Sequence, residues 1–387
     1  MLLSVRAFSL QHLSFAAALL VYAVSGSPTP DQIGIAEIAI LTLLALSARF
    51  DFKEFPSANL LAAYGLTLPL VIGLINGNST ESFIRDIIPF LFLLLPIFFA
   101  YKEKDIDFLA VAIGITGFVF SARALKDFGP QLWDISTWMG APPNLLYLAN
   151  SPEVLFACIF FACEGYRRLS NKRILSGGLL LSASATSLIS MVSAMQRASI
   201  AYLVFAFICW FIFSLWRSPK SILIIVLLAI PIFLYFQPVF ETLLEQLQLK
   251  TQLVGLNSRA DEWKAVWTEI STSPASFFFG LGWGAEFENP AVGGLMVNYT
   301  HSLLSALFLK TGVIGAALFL VYGFSILKRA WPELIERKKF LFALAGPLFI
   351  GFAFYASYKS LGFGLLLVLL SIFAKGKKLE QSSPAMP

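Results

Sequence analysis

Charge is scarce in this chain. Of its 387 residues only 13% are Asp, Glu, Lys or Arg and 58% are hydrophobic, with 38 Phe and 8 Trp. Soluble domains carry about twice that charge. A water-soluble globule of this length has too little interior for so much apolar surface, so lipid is the expected solvent. Disorder, a secreted disulfide scaffold and a cytosolic α/β enzyme are excluded on the same ground. Histidine is scarcer still, with His12 and His301 alone. There is no CxxC, no HExxH and no clustered His, so no zinc or iron site is expected, and no cofactor. The three Cys (Cys158, Cys163, Cys209) sit inside apolar stretches, which implies no disulfide framework. No internal repeat is visible, which counts against a transporter built from inverted halves. A cleavable leader is not expected either: the first apolar stretch follows a lone Arg6, lacks a cleavage site and reads as a retained span.

What the chain has is apolar length. A helix needs about 20 apolar residues to cross the hydrocarbon core. Such stretches run approximately over 8–25, 32–48, 58–76, 83–101, 106–122, 151–167, 174–195, 198–216, 219–238, 302–327, 340–357 and 359–374. The expected architecture is therefore all-α: a polytopic membrane helical bundle of about 12 transmembrane helices, one integral membrane domain over 1–387. Basic residues sort the connections into two sets. Nineteen of the 28 Lys and Arg fall on every second connection, from Arg6 to Lys378. The alternate connections hold Arg123, Lys126, Arg197, Lys250, Arg259, Lys264, Lys310 and Lys359, and Arg85 sits just inside a span. Both termini are thus expected in the cytoplasm. The net charge of +5 is a topology signal, not a nucleic-acid one.

Two outward connections are long, 123–150 and 239–301, and long loops usually carry function. In the second, residues 241–256 place Leu243, Leu244 and Leu247 on one side, as an interfacial amphipathic helix would. Another helix is expected from Ser258, where Ser258 and Asp261 have capping-box spacing. Arg259, Trp263, Trp267 and Ile270 follow on one face, and Ser273-Pro274 ends it. The plainer reading of the Trp pair is a headgroup anchor. Gly280-x-Gly282-x-Gly284 comes next; taken alone it reads as a turn at the membrane edge. His301 starts a span. A lone His there is more often structural, but Arg85, Arg123, Arg197 and Arg259 share its side and break the inside-positive trend. Planar guanidinium donors suit phosphate oxygens. Four such Arg and one titratable imidazole point to an anionic, pyrophosphate-type substrate with His301 as proton acceptor. Arg85 and Arg123 also admit a structural reading, Arg85 as an ion pair with Asp86. Glu37, Glu153 and His12 lie in or near spans, each without a visible partner.

His301-Ser302, nine residues, then Gly312-Val313-Ile314-Gly315-Ala316 resembles the His-(Asn/Ser/Gln)-x9-Gly-x-x-Gly-Gly signature of O-antigen ligases, with Ala316 where the last Gly would stand. Ser258-Arg259 through Trp263, Pro274 and the Gly280–Gly284 run is similar to the Arg…Trp…Pro…Gly-x-Gly pattern of the wider O-antigen ligase and polymerase family. Gln196-Arg197-Ala198 and Pro143-Asn144 resemble further family elements. The motifs cover about 196–316. The resemblance implies a metal-independent glycosyltransferase of the bacterial inner membrane, active on the periplasmic side, with 239–301 a large periplasmic loop containing short helices. It would move a polysaccharide from a polyprenyl pyrophosphate donor to a lipid A–core acceptor, with membrane lipids its only other partners. By position, Arg197 and Arg259 would bind the donor pyrophosphate and His301 would activate the acceptor hydroxyl, with Trp263 beside them. Attack by that hydroxyl would invert the anomeric centre. Two other readings stand: a polymerase of the same superfamily, which shares the donor, and a transporter of lipid-linked sugars. Transporters place charge near the bilayer midplane, whereas here it collects at one face.

Overall fold

The computed structural model describes residues 9–28, 34–128, 143–217, 237, 241–242, 244–252 and 258–375. The chain runs through α1 (Leu10–Ser25), α2 (Ile35–Ser47), α3 (Pro56–Gly65), α4 (Leu68–Ile75), α5 (Thr80–Leu93), α6 (Leu95–Phe98), α7 (Ile106–Phe128), α8 (Pro143–Asn150), α9 (Pro152–Ser170), α10 (Ile174–Ser193) and α11 (Arg197–Arg217). Residues 244–252 are helical. Then come α12 (Ser258–Ile270), α13 (Pro274–Phe279), the strands β1 (Phe287–Asn289) and β2 (Leu295–Val297), and α14 (Leu303–Glu336), α15 (Lys338–Ala353) and α16 (Leu361–Lys375).

Four described runs are long and apolar enough to cross a membrane, Pro56–Ile75, Glu103–Asp127, Ile174–Ser193 and Leu303–Glu336, and four shorter apolar helices accompany them. Leu175 and Leu179 of α10 and Val204, Phe205 and Phe207 of α11 are exposed. An apolar belt of that kind is stable only against acyl chains. The chain is a multi-pass helical membrane protein. Eleven of the twelve expected apolar stretches fall on a helix or on two consecutive helices. The twelfth, 219–238, lies outside the described residues except for Gln237.

The centre of the bundle is α16, buried at every position from Leu361 to Phe373. A helix apolar around its whole circumference belongs in the middle, and it packs on α14, α5, α15 and α7. The first half of α9 is buried as well and lies against α10, α7 and α15. There Glu153 is fully buried and accepts from the Ser151 hydroxyl. Gly362 makes room for it: a Cβ at Gly362 would fall 1.8 Å from the carboxyl carbon. Glu37 accepts from the Gly34 N–H at its own helix start (3.0 Å). His12 Nε2 lies 3.4 Å from Asp105, with Nδ1 2.6 Å from the Ser9 hydroxyl.

The segment before α14 sets the geometry of that face. α14 is kinked at Gly312, where φ is 65°. A kink frees carbonyls that must be satisfied elsewhere. Leu281 N–H donates to Leu309 O (2.9 Å), Gly282 N–H to Lys310 O (3.0 Å), and the Tyr64 hydroxyl to Thr311 O (2.8 Å). The approach is so close that a Cβ on Gly312 would sit 2.4 Å from Phe278 O, and one on Gly280 would sit 2.5 Å from Lys310 O. The loop then fills the break between α3 and α4. Trp283 N–H donates to Pro69 O (3.0 Å) and its indole to Gly65 O (2.7 Å). The Gly-rich run is thus bound into the bundle, where the sequence alone gave a turn at the membrane edge. One element was not expected among the short helices of this segment. Phe287–Asn289 and Leu295–Val297 pair antiparallel as a hairpin, turned by Pro290–Val292 and Gly293 in the left-handed region.

Candidate active site

His301 stands one residue before Ser302, the N-cap of α14. Local hydroxyls fix this turn. Ser302 Oγ accepts from the Ser305 N–H (3.2 Å), Thr300 Oγ1 donates to Ser302 O (2.8 Å), and Ser305 Oγ donates to Thr300 Oγ1 (2.8 Å). The imidazole is therefore presented by a rigid backbone at the top of a long helix.

Its orientation comes from Glu262. One carboxylate oxygen accepts from the His301 N–H (2.8 Å); the other lies 2.6 Å from Nδ1. The buried Asn289 amide of the hairpin donates to the same oxygen (2.9 Å). Glu262 is 1% exposed and the His301 side chain 23%. Burial alone would push the Glu262 carboxyl up, but the His301 ring and N–H and the Asn289 amide outweigh it and hold it below the usual carboxylate range. A carboxylate on Nδ1 sets the tautomer in which Nε2 is the acceptor, and Nε2 has no hydrogen-bond partner among the described residues. α12 turns Glu262, Val266 and Ile270 inward. This face differs from the expected Arg259–Trp263–Trp267 one, and Trp267 is exposed.

Arg259, one turn before Glu262, is half-buried. Burial and then the nearby Arg197 lower its proton affinity, while Glu262 and Tyr355 act in the opposite direction. Arg197 begins α11 and donates to Thr251 Oγ1 (2.8 Å). Lys250 from the helical stretch 244–252 joins them: it is buried and donates to Met195 O (3.0 Å) at the end of α10. Burial, with Arg197 adding, pushes the Lys250 ammonium down to about 7. Lys250 and Arg197 thus act on each other and Arg197 acts on Arg259, beside Glu262, though Arg197 and Arg259 are some sixty positions apart in the chain. Like charges held close in a partly buried setting repel and favour a polyanion that relieves them.

The other expected site residues are distributed differently. Arg85 is exposed and pairs with Glu81 (3.8 Å), not with Asp86; the buried Asp86 is held by Lys310 (2.8 Å). Arg85 acts electrostatically on Tyr299, whose ring stacks edge-on with His301 at 5.9 Å, so it belongs to the same neighbourhood. Arg123 does not join the Arg197 group. Its Nη1 donates to Ala23 O and Gly26 O, both 2.9 Å, closing the end of α1. Trp263 packs edge-on with Phe308 of α14 (5.8 Å), a contact that docks α12 on the helix carrying the histidine. Of the 123–150 loop, residues 129–142, with Trp133 and Trp138, lie outside the described residues. Sequence reasoning passed over Glu262, Asn289 and Lys250. For Glu262 a signal existed: it occupies an i, i+4, i+8 stripe whose other members, Val266 and Ile270, are apolar, and a carboxylate there needs a partner.

Fold and site together define a class: a multi-pass membrane protein that presents a carboxylate-oriented histidine beside gathered Arg and Lys side chains. Residues 182–320 match the model of the family described as O-antigen ligase. That stretch contains Arg197, Lys250, Arg259, Glu262, Asn289, His301 and both glycine runs. No curated protein and no solved structure matches the chain.

Proposed function

We propose that this chain is an O-antigen ligase: an inverting, metal-independent glycosyltransferase that moves a polysaccharide from polyprenyl pyrophosphate to the lipid A–core oligosaccharide. It works with both termini in the cytoplasm, twelve spans in the bacterial inner membrane, and the 239–301 segment and site on the periplasmic side. The observation that carries this reading is the His301–Glu262 pair at 2.6 Å with Arg259 beside it.

In the proposed reaction the acceptor hydroxyl gives its proton to His301 Nε2 as its oxygen attacks the anomeric carbon. The bond from that carbon to the pyrophosphate oxygen breaks, and its electron pair leaves on the pyrophosphate. Arg197 and Arg259 take up the developing negative charge. Glu262 stabilises the imidazolium that forms. A general base contributes about 10²–10⁴-fold. One displacement with the base on the acceptor side inverts the anomeric configuration.

The test is transfer by the purified full chain in detergent from lipid-linked glycan to lipid A–core, together with the phenotype of a strain lacking the gene. Core without O-antigen, with finished polymer left on its carrier, is the expected phenotype. Core bearing a single repeat unit would instead identify a polymerase. No transfer from lipid-linked donor to any acceptor would return the reading to transport.

A further inference from the structure

Two cation groups stand around His301. Arg197, Lys250 and Arg259 form the first, with Arg259 beside Tyr355 and Glu262. The second meets at Asp86. Lys310, 3% exposed, lies 2.8 Å from Asp86 Oδ2 and donates to Ala285 O. The Gly284 N–H takes the same oxygen at 2.8 Å. Lys310 is thus committed to holding the loop. Lys359 is not: its Nζ stands 3.7 Å from Asp86 Oδ1, outside hydrogen-bond range, and its side chain remains 15% exposed. Two lysines share one carboxylate, so a positive charge is left over.

That charge faces the site. Lys359 Nζ lies over the Tyr299 ring at 5.8 Å, and the same ring contacts His301. Arg85 acts on Lys359 and on Tyr299, and its ion pair among the described residues is with Glu81, itself 76% exposed and therefore solvated. A partly exposed lysine accordingly lies one aromatic ring away from the imidazole, with an exposed arginine near enough to act on both lysine and ring. An in-line displacement puts the attacking hydroxyl and the leaving oxygen on opposite sides of the anomeric carbon. Two cation groups near the base can then serve two different substrates, the first the donor and the second the acceptor.

Resting on the ligase reading, we propose that Lys359 and Arg85 form a second oxyanion site, which binds a phosphate or carboxylate of the acceptor glycan and sets its hydroxyl against His301. They are positioning residues for the acceptor.

The test uses the purified full chain, one lipid-linked donor and three acceptors: native lipid A–core, the same glycolipid treated with phosphatase, and the same glycolipid with its carboxylates reduced. Lys359→Met and Arg85→Met are each expected to raise the acceptor KM about tenfold, the size of one lost charge-assisted contact, and to leave the donor KM within about twofold. Lys359→Arg restores the native value. The stripped acceptor that costs wild type the same tenfold identifies the bound group, and on that acceptor the two Met variants lose nothing further. Arg85 is exposed, so its variant folds even where the Lys359 variant does not. A rise in donor KM, an equal fall in kcat on all three acceptors, or full wild-type use of both stripped acceptors would overturn the acceptor site while leaving the ligase reading intact. Wild type that transfers to none of them would overturn the ligase reading itself.

Discussion

Two carboxylates at the same face of the bundle, both acting on Tyr358, show opposite uses of burial. Asp86 is 4% exposed and its partner Lys310 is 3% exposed. Both ends of that pair are closed, and its bonds run to the backbone of Gly284 and Ala285. Glu262 is just as buried, but its partner His301 keeps 23% exposure. The first pair fastens a loop. The second leaves one nitrogen of the imidazole without a hydrogen-bond partner among the described residues. A buried charge needs a partner in either case; whether that partner is itself sealed separates scaffold from chemistry.

The comparison can be broken from either side. The largest effect is expected at His301: His301→Ala lowers transfer about 10²–10⁴-fold, and, because it also takes the ring from the buried Glu262, it lowers the unfolding temperature as well. Full activity in this variant would remove His301 from the site. Lys310→Met takes the closer of two lysines from the buried Asp86, leaving Lys359 at 3.7 Å, and is expected to cost up to about 3–5 kcal/mol in denaturant unfolding. The double variant Asp86→Asn/Lys310→Met loses less than the single one.

Glu262→Gln is expected to lower kcat about 10²-fold with the donor KM nearly unchanged, and it carries a pH signature. The folded carboxyl lies below its ordinary value, so the unfolded chain binds more protons. Its contribution to stability is fully present above the unfolded value of about 4.3. It is lost as pH falls through the lowered folded value. The gap in Tm between wild type and Glu262→Gln is therefore wide at neutral pH and closes as the pH falls below the unfolded value. A gap that does not change with pH would show that the carboxyl is not held by His301. The smallest expected effect is none: EDTA leaves turnover unchanged if arginines alone stabilise the leaving group. Loss with EDTA and rescue by Mg²⁺ would contradict that clamp.

Apolar length revealed the long helices, because transfer from water to lipid dominates other local preferences there; the helix at Ser258 showed instead by its capping-box spacing. The site was legible only in part. His301, Arg197 and Arg259 stood out because each is rare or misplaced by sign, and rarity can be seen in one dimension. Glu262 was not seen, since an acid in a polar helix is ordinary until its neighbours at 266 and 270 are known to face inward. Arg85 was paired with adjacent Asp86, whereas successive helix positions point apart and Arg85 meets Glu81, four positions earlier. Asp86 found its lysine 224 positions later, at Lys310. Arg123 broke the charge rule for a structural reason, to hold the carbonyl end of α1. The two glycine runs were read separately, and only the fold shows that Gly280 and Gly312 let each other's backbone pass.

The kink at Gly312 also acts as a ruler. Nine helical residues lie between Ser302 and Gly312, about 13.5 Å of rise at 1.5 Å each. Their lower end is anchored to residues 281–282. Adding or deleting one residue within that count would swing His301 by about 100° around the helix axis and shift it by about 1.5 Å along it. A 2.6 Å contact with Glu262 would not survive either displacement. The spacing from histidine to glycine is thus a phase setting, tolerant of which residues fill it and intolerant of their number.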